Sequence, residues 1–347
     1  MGLEPEFMSD PLLKLYIAGG AIPYMRGSEK GTRLPCWNYT EEVEEALFHK
    51  FKLITPSATI GVKENRTYYW GLTEKGWEIG QKLFQQYLEL KRSEVELVLT
   101  RFPRKVLSIV FLGCQEKGML SFLAEPLKPK ASVDEISSFL SKIELHVAPA
   151  FIDEATISRW LGIGFKKCLK SGEVIDRELK EVCENFPMVF AKFMVQHPVI
   201  VQLVEKLLGE LVTRGVAVKI PEYGSKGQPL GEACKAPPEV LSMIWSSISG
   251  TDISKELSTF AVIYVFIKNL QKDFTIGRLR FFLGSLGISE SLIENELELM
   301  HKEGATSKFL KSGDEDDPPF IVLNKEKYSE HLTLALNTLA HEIIEPE

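Results

Sequence analysis

The residues best suited to chemistry in this sequence are three lysines, Lys166, Lys167 and Lys170, whose spacing places them on neighbouring turns of a helix. They follow the short turn Gly162-Ile-Gly164, and the order of helix, glycine turn and basic helix is typical of a helix-turn-helix. Ammonium groups on one helix face can contact successive phosphates of a nucleic-acid backbone. The three lysines are therefore candidate nucleic-acid-binding residues, with a merely solvated basic helix face as the alternative.

Four more basic residues extend this candidate interface. Arg104 and Lys105 lie upstream of the lysines, and Lys63 and Arg66 flank a charged turn between two predicted strands. A basic hairpin tip can enter a minor groove, although such tips are also charged simply for solubility. The chain as a whole has a formal charge of -7, and only residues 101–230 carry a positive balance. This distribution argues against a nonspecific nucleic-acid coat and places the expected contact in the middle of the chain.

Patterns that would indicate an enzyme or a metal site are missing from the sequence. No glycine-rich phosphate-binding loop is present, the six histidines never form a zinc-protease pattern, and the five cysteines form no CxxC pair. The acidic run Asp314-Glu315-Asp316-Asp317 lacks the glycine and terminal glutamate of a calcium loop. The sequence therefore predicts a protein that is not an enzyme, with no cofactor, no metal and no small-molecule substrate.

Cysteine usage and hydropathy indicate the compartment. The odd number of widely spaced cysteines fits reduced thiols, the start of the chain lacks the features of an export signal, and no apolar run is long enough to span a bilayer. We therefore expect a protein that is not secreted and has no membrane association. A cytoplasmic location is predicted, or a nuclear one in a eukaryote.

The first part of the chain contains the elements that would position the Lys63–Arg66 turn. Strands are predicted over Leu53–Ile60 and Thr67–Leu72, and the aromatic content of the second suits a pleated surface. Thr73 then caps a helix that continues past Leu90 toward Leu99. The sequence thus predicts a hairpin followed directly by a long amphipathic helix.

The last part of the chain shows a fuller version of the same order. Helices are predicted over Phe260–Ile267 and Thr275–Leu283, and a third begins at Ser289 with Ile293, Leu297 and Met300 on one face. Strands over Ala305–Leu310 and Phe320–Leu323 and a closing helix over Glu326–Ile343 complete the prediction.

Two separated stretches, Leu72–Trp77 and Leu323–Tyr328, share one layout. In each, a strand-like leucine is followed by a capping Thr or Asn, and an aromatic residue begins a helix five positions after the leucine. With the hairpin before it, each stretch resembles the winged helix-turn-helix superfamily, whose members include transcription regulators, replication initiators and scaffold subunits. The resemblance implies that Trp77 and Tyr328 are buried anchors beneath two wings.

The predicted fold class is α+β, mostly α with small β-wings, in which tandem winged-helix units flank a helical middle region. We place the domains at residues 8–100, 101–235 and 236–347. The glycine- and proline-rich segment Pro221–Pro238 is the predicted linker before the last domain.

Two functions fit this reading. The first is a DNA-binding regulator or initiator-like factor, with a role in transcription regulation, acting through the basic residues. The alternative is a protein–protein adaptor in a chromosome-organising or polymerase complex, which the acidic outer units favour. A stripe on the closing helix predicts either dimerisation or packing within its own domain, and its residues are Tyr328, Leu332, Leu336, Leu339 and Ile343.

Overall fold

A computed structural model describes residues 11–24, 46–60, 67–143, 177–269, 274–309 and 320–346 of the chain. Within these ranges the protein is mostly helical, with small antiparallel sheets, so the predicted mostly α, α+β class is confirmed. The Lys63–Arg66 turn and the predicted helix-turn-helix around Lys166 lie outside the described residues.

The helices, numbered in chain order, differ widely in length. They are α1 (Pro11–Ile17), α2 (Glu74–Leu99), α3 (Arg104–Gly113), α4 (Val133–Lys142), α5 (Arg177–Met194), α6 (Pro198–Thr213), α7 (Pro238–Ser247), α8 (Ser254–Asn269), α9 (Ile276–Ser285), α10 (Glu290–Lys302) and α11 (Lys325–Ile344). A single π-helical turn covers Ala46–Lys50.

The strands are short and pair only in antiparallel fashion within the described ranges. They are β1 (Ala21–Tyr24), β2 (Ile54–Ile60), β3 (Thr67–Leu72), β4 (Gln115–Glu116), β5 (Met119–Phe122), β6 (Val218–Tyr223), β7 (Pro229–Ala236), β8 (Phe274–Thr275), β9 (Thr306–Phe309) and β10 (Phe320–Leu323).

The chain forms two compact units, each drawn from separated stretches of sequence. Unit 1 takes its described residues from within 1–102, 114–125 and 203–249, and unit 2 from within 103–113, 126–202 and 250–347. The sequence predicted three consecutive domains, whereas the middle region is divided between these two units. Packing between residues far apart in the chain thus outweighs sequence continuity.

Unit 1 contains a three-stranded sheet in the order β1-β3-β2. The predicted hairpin is confirmed, because Ile54 of β2 pairs with Leu72 of β3. Helix α2 begins as predicted after Thr73, whose hydroxyl accepts a hydrogen bond from the Gly76 amide at 3.1 Å. Trp77 is 40% exposed, so its predicted burial is wrong.

A second sheet of unit 1 overturns the predicted linker. Its strand order is β4-β5-β7-β6, and β6 and β7 form a hairpin over much of Pro221–Pro238. The glycines of this segment serve the turn, where Gly224 donates to the Gln228 carbonyl at 2.8 Å, and a strand position at Gly231, where φ is +133°. A composition typical of linkers here encodes a tight hairpin, and β7 is a central strand.

The core of unit 2 is built on an aromatic cluster. Phe260 of α8 packs against Phe186, Phe190 and Phe193 of α5, with ring centroids 5.2–5.8 Å apart. Every residue of α8 from Phe260 to Ile267 is buried, as its continuous apolar run predicted. This helix packs against α4, α5, α9 and α11 of unit 2.

The last part of unit 2 has the predicted order of α8, α9, α10, β9, β10 and α11, and the short strand β8 before α9, which was not predicted, completes a sheet in the order β8-β10-β9. Ser289 caps α10 and Asn324 caps α11, as their side-chain oxygens accept from amides three residues later. Tyr328 is fully buried, as predicted. The other residues of its stripe, Leu332, Leu336, Leu339 and Ile343, are also buried in unit 2.

No single helix among the described residues has the length and apolar content needed to cross a membrane, and α5 and α6 approach that only when a bent pair of helices is counted together.

Candidate functional site

The structure bears on two of the seven predicted nucleic-acid-binding residues. Lys166, Lys167 and Lys170, together with Lys63 and Arg66, lie outside the described residues. Arg104 and Lys105 begin α3 in unit 2, where Arg104 is exposed. The described part of the chain therefore shows neither the predicted lysine cluster nor the basic hairpin tip.

Lys105 is engaged in an internal ion pair. Its ammonium lies 2.8 Å from Oε1 of Glu256, a carboxylate in the first turn of α8 that is 2% exposed. A buried carboxylate needs a charge partner or hydrogen bonds, and Lys105 supplies both. Its charge is thus used inside unit 2, which leaves Arg104 as the exposed cation at the start of α3.

A different surface appears on α10. This helix buries Ile293, Leu297 and Met300 in the core of unit 2, at the spacing the sequence predicted. On a flank of the helix, about 110° around its axis from the buried stripe, Leu292 is 40% exposed and Leu299 is 45% exposed. These two leucines are seven residues apart, which is close to two helical turns, so they lie on the same face.

Carboxylates lie on the other exposed flank of α10, with Asn295 between them and the leucine pair. Helix α10 carries four glutamates and one lysine, and Glu290 and Glu298 are exposed. The guanidinium of Arg280 on α9 donates to Glu294, with Nε 3.0 Å from Oε1, and lies 3.6 Å from Glu290. The nearest described arginine is therefore occupied by the helix's own carboxylates. The leucines and glutamates together form what we call the α10 surface: Glu290, Leu292, Glu294, Asn295, Glu298 and Leu299.

The acidic character of α10 was evident in the sequence, but its exposed leucines were missed. The sequence predicted the buried stripe and the acidic charge of α10, but not its exposed leucine pair. The available signal was a leucine pair seven residues apart that falls outside the buried positions, on what should be the polar face.

One buried histidine joins α10 to α11. His331 of α11 has Nδ1 2.6 Å from Oε2 of Glu303 and Nε2 3.1 Å from Oε1 of Glu296. Its ring is stacked on Tyr328 at a centroid distance of 6.4 Å. The hydrogen bond to Glu296 raises the pKa of His331 above its ordinary value, and Glu303 adds to this rise, while burial opposes it. We call this group of His331, Glu296 and Glu303 the histidine clamp.

Unit 1 contains a groove of about 600 Å³ between α2 and α7. Its lining combines polar side chains, which include Gln85, Arg92 and Glu239, with Leu88 and Met243. One oxygen of Glu239 accepts from the Tyr16 hydroxyl at 2.8 Å, and Arg92 is tied to Glu89. The volume would suit a small molecule, but most such pockets are apolar with a few convergent polar groups, and this one is open and mixed in charge.

Nucleophilic and metal-binding chemistry finds little support in the described part of the chain. Cys114 and Cys234 are buried, and burial raises the pKa of the Cys234 thiol to about 12, which keeps it protonated and unreactive. No three His, Cys, Asp or Glu side chains among the described residues are arranged to hold a metal ion.

Comparison with known proteins finds no family model, no curated protein and no solved structure that this chain matches.

Proposed function

We propose that this protein is a non-enzymatic adaptor built from two winged-helix units, and that the α10 surface binds a partner protein. The observation that carries the proposal is the exposed pair Leu292 and Leu299 on an acidic helix. Aliphatic side chains of this size stabilise a complex when a partner covers them, and the acidic flank of the same helix favours a partner that also carries positive charge.

The winged-helix assignment is supported by strand order. In each unit a helix and a short strand come first, a hairpin follows, and the last strand of the hairpin lies between the other two strands. The orders β1-β3-β2 in unit 1 and β8-β10-β9 in unit 2 are therefore equivalent, as expected if both units have the layout that the sequence predicts twice.

The junctions between hairpin and closing helix support the same assignment. The amide of Thr73 donates to the carbonyl of Leu53 at 3.0 Å, and the amide of Asn324 donates to the carbonyl of Ala305 at 2.9 Å. In both units the donor is the helix cap and the acceptor is the residue just before the first strand of the hairpin. Two sequences with little identity thus close the hairpin with the same bond.

The charge of α10 argues for a protein partner rather than a duplex at this surface. In DNA-binding members of the superfamily the helix before the hairpin lies in the major groove. A helix with four glutamates would there face one phosphate charge per roughly 1.7 Å of duplex. A partner segment with apolar side chains flanked by lysine or arginine satisfies both the leucines and the carboxylates.

A peptide titration tests the proposal. The probe is a helical peptide of leucine and lysine, about four turns long, with its leucines on one face. We expect the protein to bind this peptide and to reject a peptide in which glutamate replaces lysine, because the second peptide repels the carboxylates. Fluorescence anisotropy of labelled peptides measures both dissociation constants.

Matched variants locate the binding surface. Changing Leu292 and Leu299 to Gln removes apolar area worth about 2 kcal/mol in total, so the Kd should rise roughly thirtyfold. Leu334→Gln is the control, because Leu334 is 66% exposed on α11 and lies outside the α10 surface. Equal effects of the control and the double variant would contradict the assignment of this surface.

Nucleic-acid binding by the middle of the chain is the second candidate, and the exposed Arg104 together with the positive balance of residues 101–230 favours it. Fluorescence anisotropy of labelled duplex DNA at several salt concentrations tests this second candidate. Binding that is weakened by changing Lys166, Lys167 and Lys170 to Ala, with a flatter salt dependence, would support a DNA-binding regulator. Binding of duplex that is unaffected by these changes would remove the lysines from that hypothesis.

A further inference from the structure

We propose that the histidine clamp makes the α10 surface pH-sensitive: protonated His331 is a positioning residue that holds the last turn of α10 against α11, and loss of its proton loosens that turn. The regulatory part of this inference rests on the proposed function of the α10 surface, whereas the clamp itself does not.

The donor count in the clamp requires a charged ring. Both ring nitrogens of His331 lie within hydrogen-bond distance of a carboxylate oxygen, at 2.6 Å and 3.1 Å. An ionised carboxylate only accepts hydrogen bonds, and a neutral imidazole carries a single N–H. With both carboxylates ionised, the two bonds can therefore exist together only when the ring is an imidazolium with both nitrogens donating.

The clamp lies where the end of α10 needs a positive charge. Glu303 is the C-cap residue of this helix, and a carboxylate there meets the negative end of the helix dipole. The imidazolium offsets that repulsion and also bonds to Glu296, two turns earlier. Leu299 lies between these two glutamates in sequence, so the clamp restrains the turn that presents one of the two exposed leucines.

The surroundings of His331 contain few other groups that could take over this role. From α10 the charged groups that face the ring are Glu296 and Glu303. On α11 itself, Tyr328 stacks on the ring, and Lys327 lies one turn earlier beside Gly304. The Tyr328 hydroxyl donates a hydrogen bond to the carbonyl oxygen of Ile263 on α8 at 3.3 Å.

The sign of the pH effect follows from the direction of the pKa shift. The pKa of His331 is raised in the folded protein, first by its hydrogen bond to Glu296. The clamp therefore stabilises the fold fully at a pH below the ordinary histidine value, and its contribution is lost as the pH rises through the raised pKa. His197, also in unit 2, has its pKa lowered by burial and acts in the opposite direction. A local measurement is thus needed to separate the two.

Hydrogen exchange in the full chain supplies that measurement. We expect amides of the segment 299–304 to exchange roughly tenfold faster, after correction for intrinsic rates, when the pH is raised from about 6 to about 9. The variant His331→Gln should exchange rapidly at both pH values. The matched control is His341→Gln, an exposed histidine of α11 that is outside both the clamp and the measured segment, and it should behave as the parent protein does.

Binding of the leucine–lysine peptide at the same two pH values tests the regulatory step. The parent protein should lose roughly tenfold in affinity at the higher pH, and His331→Gln should show no such change. A corrected exchange rate that is independent of pH in the parent protein overturns the clamp, and so does a pH-dependent change in that rate that persists in His331→Gln. A confirmed exchange step with pH-independent peptide binding overturns the regulation alone. A peptide that binds at no pH overturns the proposed function and the regulation with it, while the exchange step still decides the clamp.

Discussion

Lys105, which the sequence predicted to bind nucleic acid, should instead stabilise the fold through its ion pair with Glu256. The side chain of Glu256 is 2% exposed, and that of Lys105 is 23% exposed. Replacing Lys105 with Met keeps most of the apolar stem and removes the charge. Glu256 would then be a buried carboxylate without its cation, so the folded state should be destabilised.

The magnitude follows from burial and from the position of Glu256. Breaking a buried ion pair by removing one partner costs about 3 to 5 kcal/mol. Glu256 lies in the first turn of α8, where the helix dipole favours a negative charge by about 0.3 to 1 kcal/mol. We therefore expect Lys105→Met to lower the free energy of unfolding by about 3 kcal/mol. Changing both residues to Met leaves no charge buried, so the double variant should be at least as stable as the single variant.

Urea unfolding followed by circular dichroism measures these differences. Arg104→Met is the matched control, because Arg104 is exposed and its loss should change the free energy of unfolding by less than about 0.5 kcal/mol. The reasoning would be refuted by a loss below about 1 kcal/mol in Lys105→Met, or by a double variant less stable than that single variant.

Two further predictions concern packing. Gly76→Ala should lower the free energy of unfolding by about 1 to 3 kcal/mol, because the new Cβ would overlap the backbone oxygen of Leu53. At Gly209 a Cβ meets nothing within 4 Å, so Gly209→Ala should instead stabilise its helix by about 0.5 to 1 kcal/mol. Equal effects of the two variants in urea unfolding would contradict the overlap. Tyr328→Ala should cost about 3 to 5 kcal/mol and Trp77→Ala clearly less, because Tyr328 is fully buried and Trp77 is 40% exposed; a reversed order in the same melts would show that exposure does not set the cost.

Local signals allowed much of the fold to be predicted. Capping residues followed by amphipathic runs placed the starts of α2, α10 and α11, and Thr73, Ser289 and Asn324 all act as side-chain caps. These signals work because a capping side chain and the amide that it binds are only three residues apart in the chain. The hairpin over Pro221–Pro238 was missed because its glycines and prolines are equally typical of a linker, and its pairing with β5 depends on residues more than 100 positions away.

The site was harder to predict than the fold. Lys105 looked like a free basic residue, since nothing nearby in sequence shows that Glu256, 151 positions later, takes up its charge. The exposed leucines of α10 were detectable from spacing but were read as part of an acidic helix. Likewise, the meeting of His331 with two carboxylates depends on how α11 packs on α10. Charge and exposure at a site are set by tertiary partners, and local patterns do not identify these.

The interleaving of the two units has a consequence for synthesis on the ribosome. Helix α3 is apolar over most of its length, and its partners in unit 2 include α11 at the far end of the chain. Roughly 230 residues are synthesised after α3 before α11 is complete, which at typical translation rates takes roughly ten to fifty seconds. During that interval α3 has no complete core to enter. The nascent chain therefore depends on chaperones or on partial burial against α5 until its last helix arrives, and premature termination anywhere before α11 would leave an aggregation-prone product.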